Sequence, residues 1–239
     1  MQAADNDLAK GRTMFPQMLT EGYRAFLDDR FVREQGRYAT LAEGQNPEIL
    51  VISCCDSRVS PEVIFDARPG ELFVVRNVAN LVPPFETGGE YHGTSAALEY
   101  AVQALKVKHI VVLGHARCGG VRAFADDAAP LSSGDFIGRW VSLIRPAAET
   151  LGTERGPDYL ERLEYATVAN SLRNLMTFPC VQILVERGRL QLHGAHFGIA
   201  TGELRVRDPE TGAFRLALPE GVPGRTRLIR CQDEAGSGG

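Results

Sequence analysis

Short apolar runs rich in β-branched residues alternate with stretches of helical periodicity along the first half of the chain. The runs at 49–52, 72–75 and 109–113 have the near-continuous apolar character of parallel strands that are buried on both faces. Between them, residues 61–66 predict a short helix and residues 91–106 a longer one. This alternation of strands and helices predicts an α/β fold.

The second half predicts helices that cover the sheet and then a terminal pair of strands. Residues 136–177 have a helical pattern, which Gly152 to Pro157 interrupt, and residues 181–187 predict another short helix. Residues 190–193 and 204–206 predict two strands joined around a turn. We therefore expect a mostly parallel β-sheet of four to five strands flanked by helices.

An amphipathic stretch at 14–33 opens the chain, with Met14, Met18, Phe26 and Phe31 recurring at roughly helical spacing among charged residues. It predicts a helix that either packs on its own domain or forms an arm. We expect one domain over residues 1–239, a helical arm within 1–36 and a flexible Gly-rich tail from 232.

Composition is that of an ordinary globular protein. The 239 residues are 44% hydrophobic and 23% charged, with a formal net charge of -4, which gives no reason to expect a nucleic acid or an anionic membrane as a partner. No segment is apolar over the length of a bilayer, and the N-terminus lacks the basic-then-apolar order of a secretion signal. Five cysteines without disulfide spacing fit a reducing compartment. We expect a cytoplasmic protein.

Two motifs follow predicted strands directly. Cys54 begins Cys-Cys-Asp-Ser-Arg after the first strand, and His115 and Cys118 lie in His-Ala-Arg-Cys-Gly-Gly after the third. Because the carboxyl ends of parallel strands meet at one edge of a sheet, these three side chains are expected to converge. Thiolate and imidazole are ligands of Zn²⁺, and three protein ligands leave a fourth position for water, as in catalytic sites.

The neighbours of these ligands favour chemistry over a closed structural zinc site. Asp56 and Arg58 supply an acceptor and its charged orienter beside the metal. Gly119 and Gly120 let the backbone approach a bound group, and the N–H of Gly119 is a candidate donor to a substrate oxygen. Strand alternation turns Cys55 away from the ligands.

Four segments in the same order carry a resemblance to a known family: 54–58, Pro69 to Asn80, Gly114 to Gly120, and Leu192-His193-Gly194. Together they resemble the β-class carbonic anhydrases of the plant-type, open-site branch, over most of the chain. These are zinc enzymes that interconvert carbon dioxide and bicarbonate. The resemblance implies that Cys54, His115 and Cys118 bind zinc.

It also implies a role for the neighbouring pair. Asp56, paired with Arg58, would accept a hydrogen bond from the zinc-bound hydroxide and so orient the nucleophile. If Arg58 is lost, Asp56 is free to take the fourth zinc position and close the site.

The resemblance further implies a carbon dioxide pocket lined by Gln45, Phe73, Val78 and Tyr91, all supplied by the neighbouring subunit. The side-chain amide of Gln45 is then a second candidate donor. The implied protein is a homo-oligomer, a dimer or a tetramer of dimers, that is inactive as a monomer and in which the N-terminal arm embraces a partner.

Another branch of the family holds an inhibitory bicarbonate with a Trp, an Arg and a Tyr. Val51, Arg76 and Phe197 occupy those positions here. Because the aromatic wall and the hydroxyl are missing, we expect no such switch.

Two other functions stay open from the sequence. The same hydroxide could hydrolyse carbonyl sulfide or carbon disulfide, and a non-enzymatic zinc-binding module would hold a saturated metal. His193 and His196 are expected to be structural, because the sequence near them offers no carboxylate or cysteine partner.

Overall fold

The computed structural model describes residues 15–88 and 92–218, and the chain divides into two compact units, one through Asn46 and one from Pro47. The tail from 232 and Tyr91 therefore lie outside the described residues. Whether the two units make one domain stays a prediction.

The first unit is helical. Helix α1 spans Gln17–Ala25, a π-helical turn spans Phe26–Phe31, and helix α2 spans Val32–Ala42. The ring of Tyr38 packs on those of Phe26 and Phe31 at centroid distances of 5.8 and 5.3 Å. The helical prediction for the N-terminal region is confirmed, and the helix continues beyond residue 36.

The second unit is built on a six-stranded sheet in the order β2-β1-β3-β4-β5-β6. The first four strands along the chain run parallel, and β5 and β6 are antiparallel to their neighbours. The strands are β1 Ile49–Cys54, β2 Leu72–Asn77, β3 His109–His115, β4 Gln191–Phe197, β5 Leu204–Arg207 and β6 Phe214–Leu216.

Helices connect these strands. They are α3 Pro61–Ile64, α4 Gly93–Glu99 with a π-helical continuation Tyr100–Leu105, α5 Gly119–Ala125, α6 Phe136–Val141, α7 Arg145–Glu149, α8 Tyr159–Leu175 and α9 Pro179–Glu186. Short 3₁₀ turns cover Val78–Asn80 and Ser142–Ile144. In the described part of the chain, no helix has the length and apolar character needed to cross a bilayer.

Strand register brings the two motifs together. In the pairing of β1 with β3, Ile49 is level with His109 and Ser53 with Leu113, so both strands reach the same edge with their carboxyl ends. Leu50, Ile52, Ile110 and Val112 are fully buried in the main core cluster. This packing fixes the strand ends from which the motifs begin.

The α/β prediction is confirmed, with one more strand than expected. Strand β6 has only three residues, Phe-Arg-Leu, which is too short to show an alternating pattern. The break expected at 152–157 lies between α7 and α8.

Candidate metal centre

Three buried side chains converge at the carboxyl edge of the sheet. Cys54 ends β1, His115 ends β3, and Cys118 is the N-cap of α5. Their ligand atoms all lie within 4.8 Å of one another. The sequence prediction that these three residues meet is confirmed.

His115 presents one ring nitrogen to this cluster. Its Nδ1 lies 3.0 Å from the carbonyl oxygen of Ala116, and because a carbonyl only accepts, Nδ1 carries the proton. Nε2 therefore holds a lone pair, yet it is buried and has no hydrogen-bond partner among the described residues. A buried acceptor without a partner is costly, and a metal ion at this point would satisfy it.

The two thiols are coupled. Their sulfur atoms are 4.0 Å apart, and the Ala79 N–H donates to the Cys54 sulfur at 3.4 Å. The hydrogen bond from Cys118 lowers the pKa of Cys54 to about 4, while the same contact and burial raise the pKa of Cys118. Without a cation, the negative charge on one sulfur disfavours ionisation of the other. A divalent cation would pair with both thiolates and remove this repulsion.

The donor set fits zinc. Two sulfurs bound at about 2.3 Å to a tetrahedral zinc are separated by about 3.8 Å, close to the 4.0 Å found between Cys54 and Cys118. Three ligands leave one tetrahedral position free, whereas structural zinc sites close with a fourth cysteine or histidine.

Asp56 lies beside the three ligand atoms in a fixed orientation. Arg58 donates from Nε to Oδ1 at 2.9 Å and from Nη2 to Oδ2 at 2.6 Å, and its backbone N–H also donates to Oδ1. The guanidinium holds the pKa of Asp56 well below its usual range. Oδ2 is 4.0 Å from Nε2 of His115, so a carboxylate faces the cluster with both oxygens held.

Arg76 holds the backbone of the first motif. Its guanidinium donates to the carbonyl oxygens of Cys54 and Asp56 at 2.9 and 2.7 Å. Val51 and Phe197 pack in one small apolar cluster with Leu113 and Ala195. Of the three positions that hold the inhibitory bicarbonate in the other branch, Val51 and Phe197 are thus apolar here, and the side chain of Arg76 is bound to the backbone.

The expected pocket residues fall in different places. Val78 packs against the apolar cluster to which Cys54 and Cys118 of its own chain belong. Phe73 lies level with Leu50, four residues before Cys54 in register, with its ring 5.9 Å from that of Tyr100. Gln45 follows α2 at an exposed position.

Gly119 is the first residue of α5, where a backbone N–H has no acceptor within the helix. Cys55 is exposed and outside the cluster, as strand alternation predicts.

Sequence reasoning missed Glu164. This residue on α8 is 3% exposed, and its Oε1 accepts the backbone N–H of Cys118 at 3.0 Å. The same carboxylate is the partner of His196, for which the sequence suggested none. His193 instead lies 3.2 Å from Nδ1 of His109.

Comparison with known proteins gives consistent matches. Residues 49–204 match the family model described as carbonic anhydrase. The chain is 36% identical over 183 residues to beta carbonic anhydrase 5, chloroplastic, from Arabidopsis thaliana, covering 75% of this chain and 60% of the relative. It is 34% identical over 211 residues to beta carbonic anhydrase 3 of the same plant, covering 84% and 81%. The chain thus spans less than two thirds of the first relative.

Solved structures match over more of their length. The β-carbonic anhydrase CcaA superposes with a TM-score of 0.77 at 31% identity, covering 85% of this chain and 92% of that one. A tetrameric β-carbonic anhydrase from Sordaria macrospora superposes with a TM-score of 0.69 at 30% identity, covering 83% and 97%.

Proposed function

Because the chain belongs to the β-class carbonic anhydrases, we propose that it catalyses the reversible hydration of carbon dioxide to bicarbonate and a proton, with zinc as its cofactor. One observation carries the proposal: a carboxylate held by an arginine lies 4.0 Å from one of three buried ligand atoms, a set that would leave one position of a tetrahedral zinc free. A closed structural zinc site needs no such carboxylate.

Cys54, His115 and Cys118 would hold the zinc. When bound, zinc supplies a Lewis acid that lowers the pKa of water and makes hydroxide available near neutral pH. The Nδ1–H of His115 donates to the Ala116 carbonyl, which leaves Nε2 as the nitrogen that would bind the metal.

Asp56 orients the attacking oxygen. Its carboxylate accepts a hydrogen bond from that oxygen and so directs a lone pair toward the carbon of the substrate. Arg58 binds both carboxylate oxygens, which supports two effects. It fixes the acceptor in place, and it keeps Asp56 from swinging into the fourth ligand position.

The substrate is small and apolar, so an apolar wall with few donors suits it. Val78, Phe73 and Tyr91 would form that wall, and the amide of Gln45 and the N–H of Gly119 would donate to the developing bicarbonate oxygens.

We further propose a homo-oligomeric, cytoplasmic enzyme whose pocket is shared between subunits. Phe73 lies four residues, or about 13 Å, before the Cys54 end of the sheet. At that distance it cannot line the pocket of its own chain, which supports its serving a neighbouring subunit. The tetrameric state of the Sordaria macrospora relative is in keeping with this proposal.

Stopped-flow measurement of carbon dioxide hydration by the zinc-loaded protein, with Asp56→Ala alongside, tests the proposal. Turnover that rises with pH and collapses in the variant supports it. Absence of turnover at any pH, with zinc bound, overturns it. The same assay with carbonyl sulfide then separates a sulfur-substrate hydrolase from a zinc-binding module without activity.

A further inference from the structure

Glu164 is a buried acid that the proposed chemistry does not use. It lies on α8, in the interior of the second unit, with 3% of its surface exposed. Burying a carboxylate costs free energy unless its oxygens are hydrogen-bonded. The hydrogen-bond partners of Glu164 therefore indicate the role of this buried carboxylate.

Both of its oxygens are engaged. Oε1 accepts the backbone N–H of Cys118 at 3.0 Å, and Oε2 lies 3.1 Å from Nε2 of His196. An ionised carboxylate can only accept, so His196 donates. His196 is itself 3% exposed, and its ring packs edge-on against Tyr165 at 4.6 Å. Helix α8 and strand β4 are thus both tied to the backbone of a metal ligand.

The segment that these contacts hold is under backbone strain. Arg117, between His115 and Cys118, has a φ of 56°, in the left-handed region that a side chain disfavours. A residue keeps this backbone conformation only when several contacts from the surrounding structure hold it there. The Ala116 N–H donates to Phe197, Arg58 donates to the Arg117 carbonyl, and the Cys118 N–H donates to Glu164.

These three contacts differ in kind. The one to Ala116 is a neutral backbone bond at 2.9 Å, and the one to Arg117 is long, at 3.4 Å, from an exposed arginine. The contact to Cys118 is buried, is made to a charged group, and reaches a metal ligand itself. Hydrogen bonds to a charged partner are the stronger ones, and of the two contacts here that involve a charged group, the one from Cys118 to Glu164 is the shorter and the buried one.

We propose that Glu164, held by His196, is a positioning residue that fixes the sulfur of Cys118 by binding its backbone N–H. The inference rests on the proposed zinc site. Without this contact the strained segment relaxes, Cys118 leaves its ligand geometry, and zinc is held less tightly.

If Glu164 only stabilised the fold, its loss would affect zinc binding no more than the loss of another buried polar side chain of α8. Asn170 provides that comparison. Asn170 lies on the same helix, is 4% exposed, and donates from its side chain to the Leu143 carbonyl at 3.2 Å. Replacing it by leucine removes this contact and the one that Arg173 donates to its Oδ1 at 2.9 Å, neither of which touches a metal ligand. Asn170→Leu is therefore the matched control for Glu164→Leu.

The experiment measures zinc release to a chelator, the absorption spectrum of the Co²⁺-substituted protein, and thermal unfolding. We expect Glu164→Leu to lose about 10- to 100-fold in zinc affinity, the range for partners that orient metal ligands, to release zinc to the chelator more readily, and to shift the thiolate-to-Co²⁺ absorption bands. Asn170→Leu should lower only the unfolding temperature.

Glu164→Gln provides the conservative rescue. Its amide oxygen can still accept from Cys118, and its NH₂ group can donate to His196 once that ring changes tautomer. We expect it to retain most of the zinc affinity and the unshifted Co²⁺ spectrum.

Zinc release and a Co²⁺ spectrum in Glu164→Leu that match those of Asn170→Leu would overturn the proposal. If Glu164→Leu does not fold, Glu164→Asp, which keeps the charge but is shorter by one methylene, takes its place in the same comparison. None of these measurements uses carbon dioxide, so an inactive wild-type enzyme would count against the proposed function alone.

Discussion

Arg58 binds both carboxylate oxygens of Asp56, through Nε at 2.9 Å and Nη2 at 2.6 Å, although only one residue separates them along the chain. These two parallel hydrogen bonds are possible because the chain turns directly after β1, where the Arg58 backbone N–H also donates to Oδ1. About half of the arginine side chain is exposed, whereas the carboxylate is mostly covered. The pair therefore serves orientation of Asp56 more than stability, since exposed ion pairs contribute little.

Replacing Arg58 by alanine should release Asp56 toward the fourth ligand position. We expect carbon dioxide hydration to fall by about 10- to 100-fold, as for other partners that orient groups at a metal. Azide binding to the Co²⁺-substituted protein should weaken as well, because the carboxylate competes for the open position. Stopped-flow kinetics and a spectral azide titration measure both effects.

Arg58→Lys is the control for this prediction. It keeps the positive charge but cannot bind two oxygens at once, so it should recover only part of the activity. Unchanged azide binding and turnover in Arg58→Ala would contradict the orienting role.

Zinc should stabilise the fold through its three ligands. Because a metal that binds only the native state adds stability by mass action, about 2.7 kcal/mol at a hundredfold excess over its dissociation constant, chelation should lower the unfolding temperature. Cys54→Ser should abolish that difference between loaded and chelated protein.

Cys55→Ser is the matched control, because Cys55 is adjacent but exposed and outside the cluster. It should retain the full zinc-dependent shift in thermal unfolding. The identification of the ligands fails if the two serine variants behave alike.

The metal ligands were accessible to sequence reasoning because they depend on local patterns and one rule of architecture. The apolar runs that end at Cys54 and His115 predict parallel strands, and parallel strands bring their carboxyl ends to one edge. Spacing alone then adds Cys118, three residues after His115. No long-range information was needed beyond the order of the strands.

Glu164 could not be predicted in the same way. It lies 46 residues after Cys118 and accepts a backbone N–H, which leaves no trace in the type of either residue. Its position depends on how α8 rotates against the sheet. For the same reason the sequence near His196 shows no carboxylate partner, because that partner belongs to a helix distant in sequence.

Gly120 should tolerate no side chain. A Cβ at this position would lie 2.6 Å from Cγ1 of Val78 and 3.1 Å from Cβ of Ala79, whose N–H donates to the Cys54 sulfur. We expect Gly120→Ala to lower the free energy of unfolding by about 1–3 kcal/mol, the usual cost of overpacking. Urea unfolding of the zinc-loaded protein measures it.

The neighbouring glycine provides the comparison. A Cβ at Gly119 meets no atom within 4 Å, so Gly119→Ala should leave stability unchanged or raise it slightly, because alanine favours a helix. Equal unfolding free energies for the two variants would show that Val78 moves aside.

The proposal of a shared pocket predicts complementation between two impaired subunits. Gln45 is exposed on its own chain, so Gln45→Ala should fold normally and lose activity only through the lost amide. If Gln45 serves the neighbouring subunit, a dimer of one Asp56→Ala chain and one Gln45→Ala chain contains one doubly impaired site and one intact site. We expect such heterodimers, isolated by two affinity tags, to show half the turnover of the wild-type dimer. If each chain supplies its own Gln45, neither site is intact, and the heterodimer should be no more active than the average of the two parent variants.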